Sequence, residues 1–301
     1  MIRVLSCLLL AGAWQAAQAA VPFEAAADLY QAAAVRGQVR PALATMPKHI
    51  RQMFTVSGGE HLTDVQLGAL DAAAKRGFRI DVFEPSAIEA FAHNLDPATV
   101  AKAQAFLASA LGRQMVADDV ALAALGEANI DEVMSGALAA PTTPRRDALI
   151  ERLERAAMST ESTVQVFLSM GEAVAVGTAV GSGLDPGAVR ERARKSVDAT
   201  RAGLEQNMRE SMRRLMAYGY RDMSDADLEH VLKFLESAPG KRYVTAYNAA
   251  MDAGFDAMGR RCGERLGESL RELAMAQADA RAVGTPADPA TPAAPPPPPS
   301  P

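Results

Sequence analysis

The sequence predicts an all-α fold, a duplicated bundle of helical hairpins followed by a disordered proline-rich tail. Hydrophobic residues make up 49% of the 301 residues but aromatic residues only 5%, so alanine, leucine and methionine carry most of the apolar character. These residues favour helices, whereas the β-branched and aromatic residues that favour strands are scarce. Apolar residues also recur at spacings of three and four through much of the chain, as amphipathic helices require.

The first 19 residues are predicted to be a secretory signal peptide. Arg3 supplies a positive charge, residues 4–14 form an apolar run, and Ala17-Gln18-Ala19 fits the small-x-small pattern of a cleavage site. We therefore expect cleavage after Ala19 and a periplasmic or secreted location. The apolar run is shorter than the roughly 20 residues that a membrane-spanning helix needs.

Prolines mark the boundaries of the helical part of the chain. Residues 140–144 (APTTP) are predicted to link two helical units, residues 20–139 and 145–282. Nine of the 18 prolines lie in residues 283–301. Because proline lacks an amide donor and this segment offers nothing apolar to pack, the tail is predicted to be disordered and extended. It would serve either as a spacer or as a ligand for a proline-binding domain.

A short block of sequence occurs twice. Residues 106–113 (FLASALGR) match residues 234–241 (FLESAPGK) at an offset of 128 residues, and the last pair conserves the charge. Self-similarity of this kind indicates two copies of one helical unit. The first copy is interpreted as degenerate, because it lacks the proline of the second. We expect Phe106 and Phe234 each to face the core of its own unit.

Two long helices are predicted in the second unit. Apolar and small residues recur at helical spacing from Ile150 to Val174 and again from Val189 to Leu215, the second stripe running for roughly eight turns. Asp185 followed by Pro186 is a typical helix start. The glycine-rich segment 181–187 is therefore interpreted as a turn between the two helices, which we expect to pack along their length in a bundle.

A motif in the second unit predicts a helical corner. Ser224 and Asp227 have the spacing of a capping box, and Leu228 begins the apolar stripe of that helix. Pro239 cannot continue the helix but suits the first turn of the next one, and Gly240 lets the two backbones approach closely. The motif comprises Tyr220, Ser224, Asp227, Leu228, Phe234, Ser237, Pro239, Gly240 and Lys241. The whole motif is explained by packing, with a binding role for the exposed Lys241-Arg242 as the alternative.

These residues resemble the signature of the domain of unknown function 2059 family. That family consists of exported bacterial all-helical domains with a capped helix, an aromatic residue and a turn similar to Ser-Pro-Gly-Lys. The sequence departs from the family pattern at Met223, where an aromatic residue is usual. The resemblance implies an exported helical domain and implies no particular activity.

Few residues point to chemistry. Cys262 is the one cysteine left after signal removal, so no internal disulfide can form, and its place in an apolar stripe predicts a buried small hydrophobe rather than a redox or dimer-forming thiol. Asp118-Asp119 and Asp131-Glu132 are interpreted as solvated helix faces. No pair of histidines has the spacing of a metal site, so no metal is predicted. No catalytic residue or cofactor is predicted either. The histidines are His49, His61, His93 and His230.

Charge is unevenly distributed along the chain. The formal net charge of -5 argues against nucleic-acid binding. Residues 190–221 are nevertheless basic, with nine Lys or Arg against four Asp or Glu. This basic helix would be solvated or paired with the acidic half of the chain, would meet a partner, or would contact a membrane surface weakly. The stretch from Val164 to Val180 is not expected to span a membrane, because it is short and contains Glu172.

Taken together, these features predict an exported, non-enzymatic envelope protein that acts by binding a protein partner or a ligand. Two alternatives remain open at this level. One is a periplasmic hydrolase whose site carries no recognisable motif, and the other is a helical protein associated with a membrane surface.

Overall fold

Every described element of the protein is an α-helix, which confirms the all-α fold class. The computed structural model describes residues 21–57 and 63–284. The predicted signal peptide with Ala17 and Ala19, residues 58–62 and the predicted tail from residue 285 lie outside the described residues. Within them the chain forms twelve helices: α1 (Phe23–Ala32), α2 (Val35–Ser57), α3 (Asp64–Gly77), α4 (Ile80–Asn94), α5 (Pro97–Leu107), α6 (Ala110–Ala123), α7 (Glu127–Ser135), α8 (Pro144–Ala157), α9 (Ser159–Gly181), α10 (Pro186–Gly219), α11 (Asp225–Leu235) and α12 (Ala238–Gly284).

Helix starts follow the capping signals of the sequence. Thr143 ends the linker and caps α8 with its side chain, and Pro144 occupies the first turn. Asp185 caps α10 in the same way, with Pro186 in the first turn as predicted. A short turn at residues 182–185 therefore joins the two long helices α9 and α10.

The single helix predicted from Ile150 to Val174 is wrong, because two helices cover this stretch. Met158 separates α8 from α9 in the left-handed conformation, with φ of 54°. No glycine or proline marks the break, and the apolar spacing continues across it. Spacing alone therefore does not reveal that one helix ends and another begins here. Phe167 lies within the predicted apolar stripe but is 48% exposed.

α12 is the central element of the fold. This 47-residue helix packs most extensively against α9 and also against α3, α4 and α5 of the first predicted unit. Phe83 of α4 meets Phe255 of α12 edge to face, with ring centroids 5.4 Å apart. Cys262 is fully buried where Gly77 of α3 touches its backbone, so its prediction as a buried small side chain is confirmed. Burial also raises the pKa of this thiol to about 12. The described helices of both predicted units share one hydrophobic core.

Glycines set the short distance between α9 and α12. The contacts advance in the same direction along both helices, from Gly259 against Met170 to Gly267 against Thr178, so the two helices run parallel. A Cβ on Gly177 of α9 would overlap a backbone carbonyl oxygen of α12. At this separation backbone packs directly on backbone, and any larger residue would force the helices apart.

α9 is also the one described helix long and apolar enough to cross a membrane, judged by length and composition alone. The same test is passed by core helices of soluble proteins, and 44% of the apolar stretch of α9 is buried inside the fold. The expectation that no segment spans a membrane after signal removal stays a prediction.

Replacing Gly177 with alanine should lower the free energy of unfolding by about 1–3 kcal/mol, because the added Cβ collides with the backbone of α12. Gly171 lies on the same helix with nothing within 4 Å of an added Cβ. Gly171→Ala is therefore the matched control and should stabilise the fold by about 0.5–1 kcal/mol. Urea unfolding followed by circular dichroism measures both, and equal effects would contradict the close packing of α9 on α12.

Candidate functional site

The predicted motif forms the corner between α11 and α12. Ser224 accepts a hydrogen bond from the backbone N of Asp227 (3.1 Å), and the Asp227 carboxylate accepts one from the backbone N of Ser224 (3.2 Å), which confirms the capping box. The Ser224 hydroxyl also donates to the Asp227 carboxylate (2.6 Å), and this bond, together with that from the Ser224 backbone N, holds the pKa of Asp227 below its usual value. Leu228 and the rest of its stripe are buried: Val231, Leu232 and Leu235.

At the corner itself the two helices touch through Gly240. Ser237 accepts a hydrogen bond from the backbone N of Gly240 (3.1 Å), and Pro239 lies in the first turn of α12. A Cβ on Gly240 would overlap the carbonyl oxygen of Phe234. The close approach therefore requires glycine, as the sequence predicts.

The corner between α5 and α6 has the same local geometry. Ser109 accepts a hydrogen bond from the backbone N of Gly112 (3.0 Å), and a Cβ on Gly112 would overlap the carbonyl oxygen of Phe106. α5 and α11 both contain 11 residues, and both begin and end 128 positions apart, at 97 and 225 and at 107 and 235. Asp96 caps α5 where Ser224 caps α11. The two sequence blocks thus form equivalent corners.

The two corners pack against each other. The rings of Phe106 and Phe234 are stacked, with centroids 4.1 Å apart and planes 9° from parallel, and both side chains are half-buried. Arg242 at the start of α12 reaches Asp96 at the start of α5 with an N–O distance of 3.2 Å. The expectation that each phenylalanine faces only its own unit is therefore wrong, because each ring is the other's partner.

A carboxylate lies beside this seam. Asp119 of α6 is half-buried and accepts a hydrogen bond of 2.6 Å from the hydroxyl of Tyr220, the residue that ends α10. Burial raises the pKa of Asp119 to about 7, with the hydrogen bond from Tyr220 acting in the opposite direction. Burial also raises the pKa of Tyr220 well above its ordinary value.

The prediction that Asp118-Asp119 is a solvated face is wrong. Besides the contact of Asp119, one carboxylate oxygen of Asp118 is buried without a hydrogen-bond partner among the described residues. The sequence did carry a signal for Asp119, since it continues the helical spacing of two buried residues, Gly112 and Met115. The second acidic pair, Asp131-Glu132, is exposed as predicted.

Two tyrosines of α12, Tyr243 and Tyr247, lie near Asp119 and Tyr220 and form a cluster with them. The hydroxyl of Tyr247 donates a hydrogen bond of 2.6 Å to the side chain of Gln38 on α2. Tyr243 is buried between the rings of Phe91 and Phe234. Burial raises the pKa of both tyrosines, and the negative charge of Asp119 raises them further, so both hydroxyls stay neutral.

An open groove runs between α4 and α12, away from this cluster. Its volume is about 600 Å³. Apolar and small side chains line its floor, and charged side chains of both signs line its rim, a distribution that favours a polypeptide over a small apolar ligand. The floor includes Val82, Ala90, Ala253 and Ala257, and the rim includes Glu89, His93, Asp256, Arg260, Arg261 and Glu264.

The two halves of the basic helix predicted at 190–221 differ in whether their cations are paired with acidic residues. In its second half Arg209 pairs with Glu161 at 2.8 Å and with the fully buried Glu154 at 3.4 Å. This half therefore pairs with acidic residues of the chain itself. Arg190 and Arg192 near the helix start are exposed and form no ion pair with the described residues.

The remaining candidate ligands are dispersed. Within residues 21–57 and 63–284, no group of three or more His, Cys, Asp or Glu side chains is arranged to hold a metal ion. His49 lies 3.2 Å from a carboxylate oxygen of Glu127, and a ring nitrogen of His93 lies 2.8 Å from the carbonyl oxygen of Glu89. His61 lies outside the described residues.

No protein-family model matches the sequence, and no curated protein or solved structure matches the chain.

Truncating either stacked ring should destabilise the fold by about 2–3 kcal/mol, less than for a fully buried phenylalanine. Because the rings contact each other, Phe106→Ala and Phe234→Ala should couple by about 1 kcal/mol in a double-mutant cycle. Phe23 is exposed and has no ring contact, so a cycle of Phe106→Ala with Phe23→Ala should be additive and is the control. Additivity in both cycles would contradict the stack.

The raised pKa of Asp119 predicts a pH dependence of stability. Between about pH 4 and pH 7 the folded chain keeps a proton on Asp119 that the unfolded chain loses, so the free energy of unfolding contributed by this group falls as pH rises. The expected loss is about 2 kcal/mol, reduced from the full value because the side chain is only half-buried.

Urea unfolding at pH 4.5 and pH 8 should show this loss in the unmodified chain and not in Asp119→Asn. Asp131→Asn changes an exposed aspartate and serves as the control. The remaining carboxylates are common to the variants and the unmodified chain, and the Asp131→Asn control measures the effect of removing an exposed one, so the difference reports on Asp119. The same pH dependence in Asp119→Asn and the unmodified chain would contradict the assignment.

Proposed function

We propose that this chain is an exported, non-enzymatic helical protein of the bacterial envelope that acts by binding a polypeptide partner. The observation that carries the proposal is the open groove between α4 and α12. The predicted signal peptide supports the compartment, because a secretory leader directs the chain out of the cytoplasm.

The groove suits a helical segment of a partner. Its two walls are the sides of two antiparallel helices, as the pairing of Phe83 with Phe255 and of Phe91 with Tyr243 requires. Small side chains on the floor allow close approach, and the charged rim would set the orientation of the bound segment. Glu89 at the rim forms no ion pair with the described residues and is free to meet a cation of the partner.

We further infer that the chain arose by duplication and belongs with the domain of unknown function 2059 family. The equivalent corners support the duplication, as does exchanged pairing: α5 packs on α12 and α11 packs on α6. The capped helix, aromatic residue and Ser-Pro-Gly-Lys corner support the family assignment.

A photo-crosslinking amino acid tests the groove. Placed at Ala257 and expressed in cells, it should give a discrete crosslinked product in the periplasmic fraction, whereas the same substitution at exposed Ala202 on α10 should not. Arg260→Glu with Arg261→Glu should reduce the product by about tenfold through like-charge repulsion or lost pairing. The recovered chain should begin at Ala20. Equal products from both positions, or none from the groove, would contradict the proposal.

A membrane-surface role is the second candidate. Val180 and Leu184 are 49% and 64% exposed at the connection between α9 and α10, close in sequence to the unpaired Arg190 and Arg192. Exposed apolar side chains beside cations are typical of surfaces that contact anionic bilayers.

This candidate predicts that the chain floats with phosphatidylglycerol vesicles and that Leu184→Asp abolishes flotation. Val65 is similarly exposed on α3, so Val65→Asp is the control and should leave flotation unchanged. Loss of flotation in both variants, or in neither, would contradict a membrane contact at this position.

A further inference from the structure

Five cations lie within four residues of a stacked phenylalanine or of a corner glycine. Every one of these five side chains is exposed. They are Lys102 of α5, Arg113 of α6, Lys233 of α11, and Lys241 and Arg242 of α12. We call this set the corner cations.

Their positions in the helices place them around one seam. Lys102 lies one turn before Phe106 on the same side of α5. Lys233 is the residue before Phe234 in α11, so the stack of the two rings brings the helices that carry both lysines together. Arg113 and Lys241 directly follow the two corner glycines, at equivalent positions of the two corners. Each half of the chain therefore contributes cations to the same surface.

The charge of these residues is available to a partner. The side chains of Lys102, Lys233 and Lys241 form no ion pair or hydrogen bond with the described residues, and the guanidinium of Arg113 donates only to the carbonyl oxygen of Ala108. Arg242 alone has an acidic partner, Asp96. In the second half of α10, by contrast, the arginines form ion pairs with acidic side chains of the chain itself.

Few free carboxylates offset these cations. Residues 97–117 contain no acidic residue. Near the seam, Asp96 pairs with Arg242, and Asp119 accepts a hydrogen bond from Tyr220. Glu236 is the nearest acidic residue in sequence, and Arg152 of α8 pairs with it at 2.9 Å. A local positive surface on a chain of net charge -5 attracts negatively charged partners selectively.

We propose that the corner cations form a second binding surface, which takes an acidic polypeptide segment. Charge complementarity argues for the anionic partner. A polypeptide fits better than a bilayer, because bilayer contact combines cations with exposed apolar side chains, and the strongly exposed large hydrophobic residues of the described chain lie elsewhere: Phe23, Val65, Met158, Phe167, Val180, Leu184 and Met275. This surface is separate from the groove between α4 and α12.

Fluorescence anisotropy tests the proposal with a labelled peptide of alternating glutamate and aspartate and the chain purified from the periplasmic fraction. The peptide should bind at low salt and bind more weakly at about 150 mM salt. Lys102→Glu, Lys233→Glu and Lys241→Glu combined should weaken binding by about tenfold or more. Arg40→Glu, Lys75→Glu and Arg271→Glu combined form the matched control, because these exposed cations also lack ion pairs with described residues and the change in net charge is identical.

The control triple variant should weaken binding by less than about threefold. If the glutamate variant of the corner does not fold by circular dichroism, the corresponding glutamine variant replaces it, with the same expectation. Equal weakening by both triple variants, or no binding of the peptide by the unmodified chain, would overturn the proposal. Binding to phosphatidylglycerol vesicles that depends on the corner cations without peptide binding would also overturn it and identify a lipid surface. Crosslinking at Ala257 does not depend on these residues, so the proposal for the groove and the proposal for the corner cations are tested independently.

Discussion

The parallel contact between α9 and α12 is the constraint on which the rest of the fold depends. Glycines on both helices let the backbones touch, and α12 also takes up α3 through Gly77 and α4 through Gly254, which lies against the ring of Phe83. α12 therefore has helical partners on several faces over the middle of its length. Its position determines where the groove beside α4 runs and where its first turn meets the corner of α5 and α6.

The paired corners explain how two similar stretches of chain come to share one core. Each corner is closed by a serine that caps the following helix and by a glycine against a phenylalanine carbonyl. Because the two phenylalanine rings then stack face to face, the apolar surface left by one corner is covered by the other. Two independent bundles joined by the linker at 140–144 would leave both rings exposed, which costs the free energy of their burial.

The stretch of sequence with the most cations is not the place where most cations stay unpaired at the surface. The most basic stretch of the chain, residues 190–221, places Arg209 against the buried Glu154, where its charge compensates a carboxylate that could not otherwise be buried. The corners have fewer cations, and Arg242 is the one among them that forms an ion pair with a described residue. Asp119 shows the opposite case, an acidic residue that the sequence places on a helix surface and the fold turns toward three tyrosines.

The sequence by itself determined the all-α class, the caps at Ser224 and Asp185, the glycine at the α11–α12 corner and the burial of Cys262. Each of these depends on residues within one or two turns of one another, where spacing and side-chain type decide the outcome. Only the tertiary structure decided the break at Met158, the stacking of Phe106 on Phe234, the burial of Asp119 and the groove beside α4. These features arise from which distant helix faces fit together, and the shape of a packed surface is a property of several segments at once rather than of any one of them.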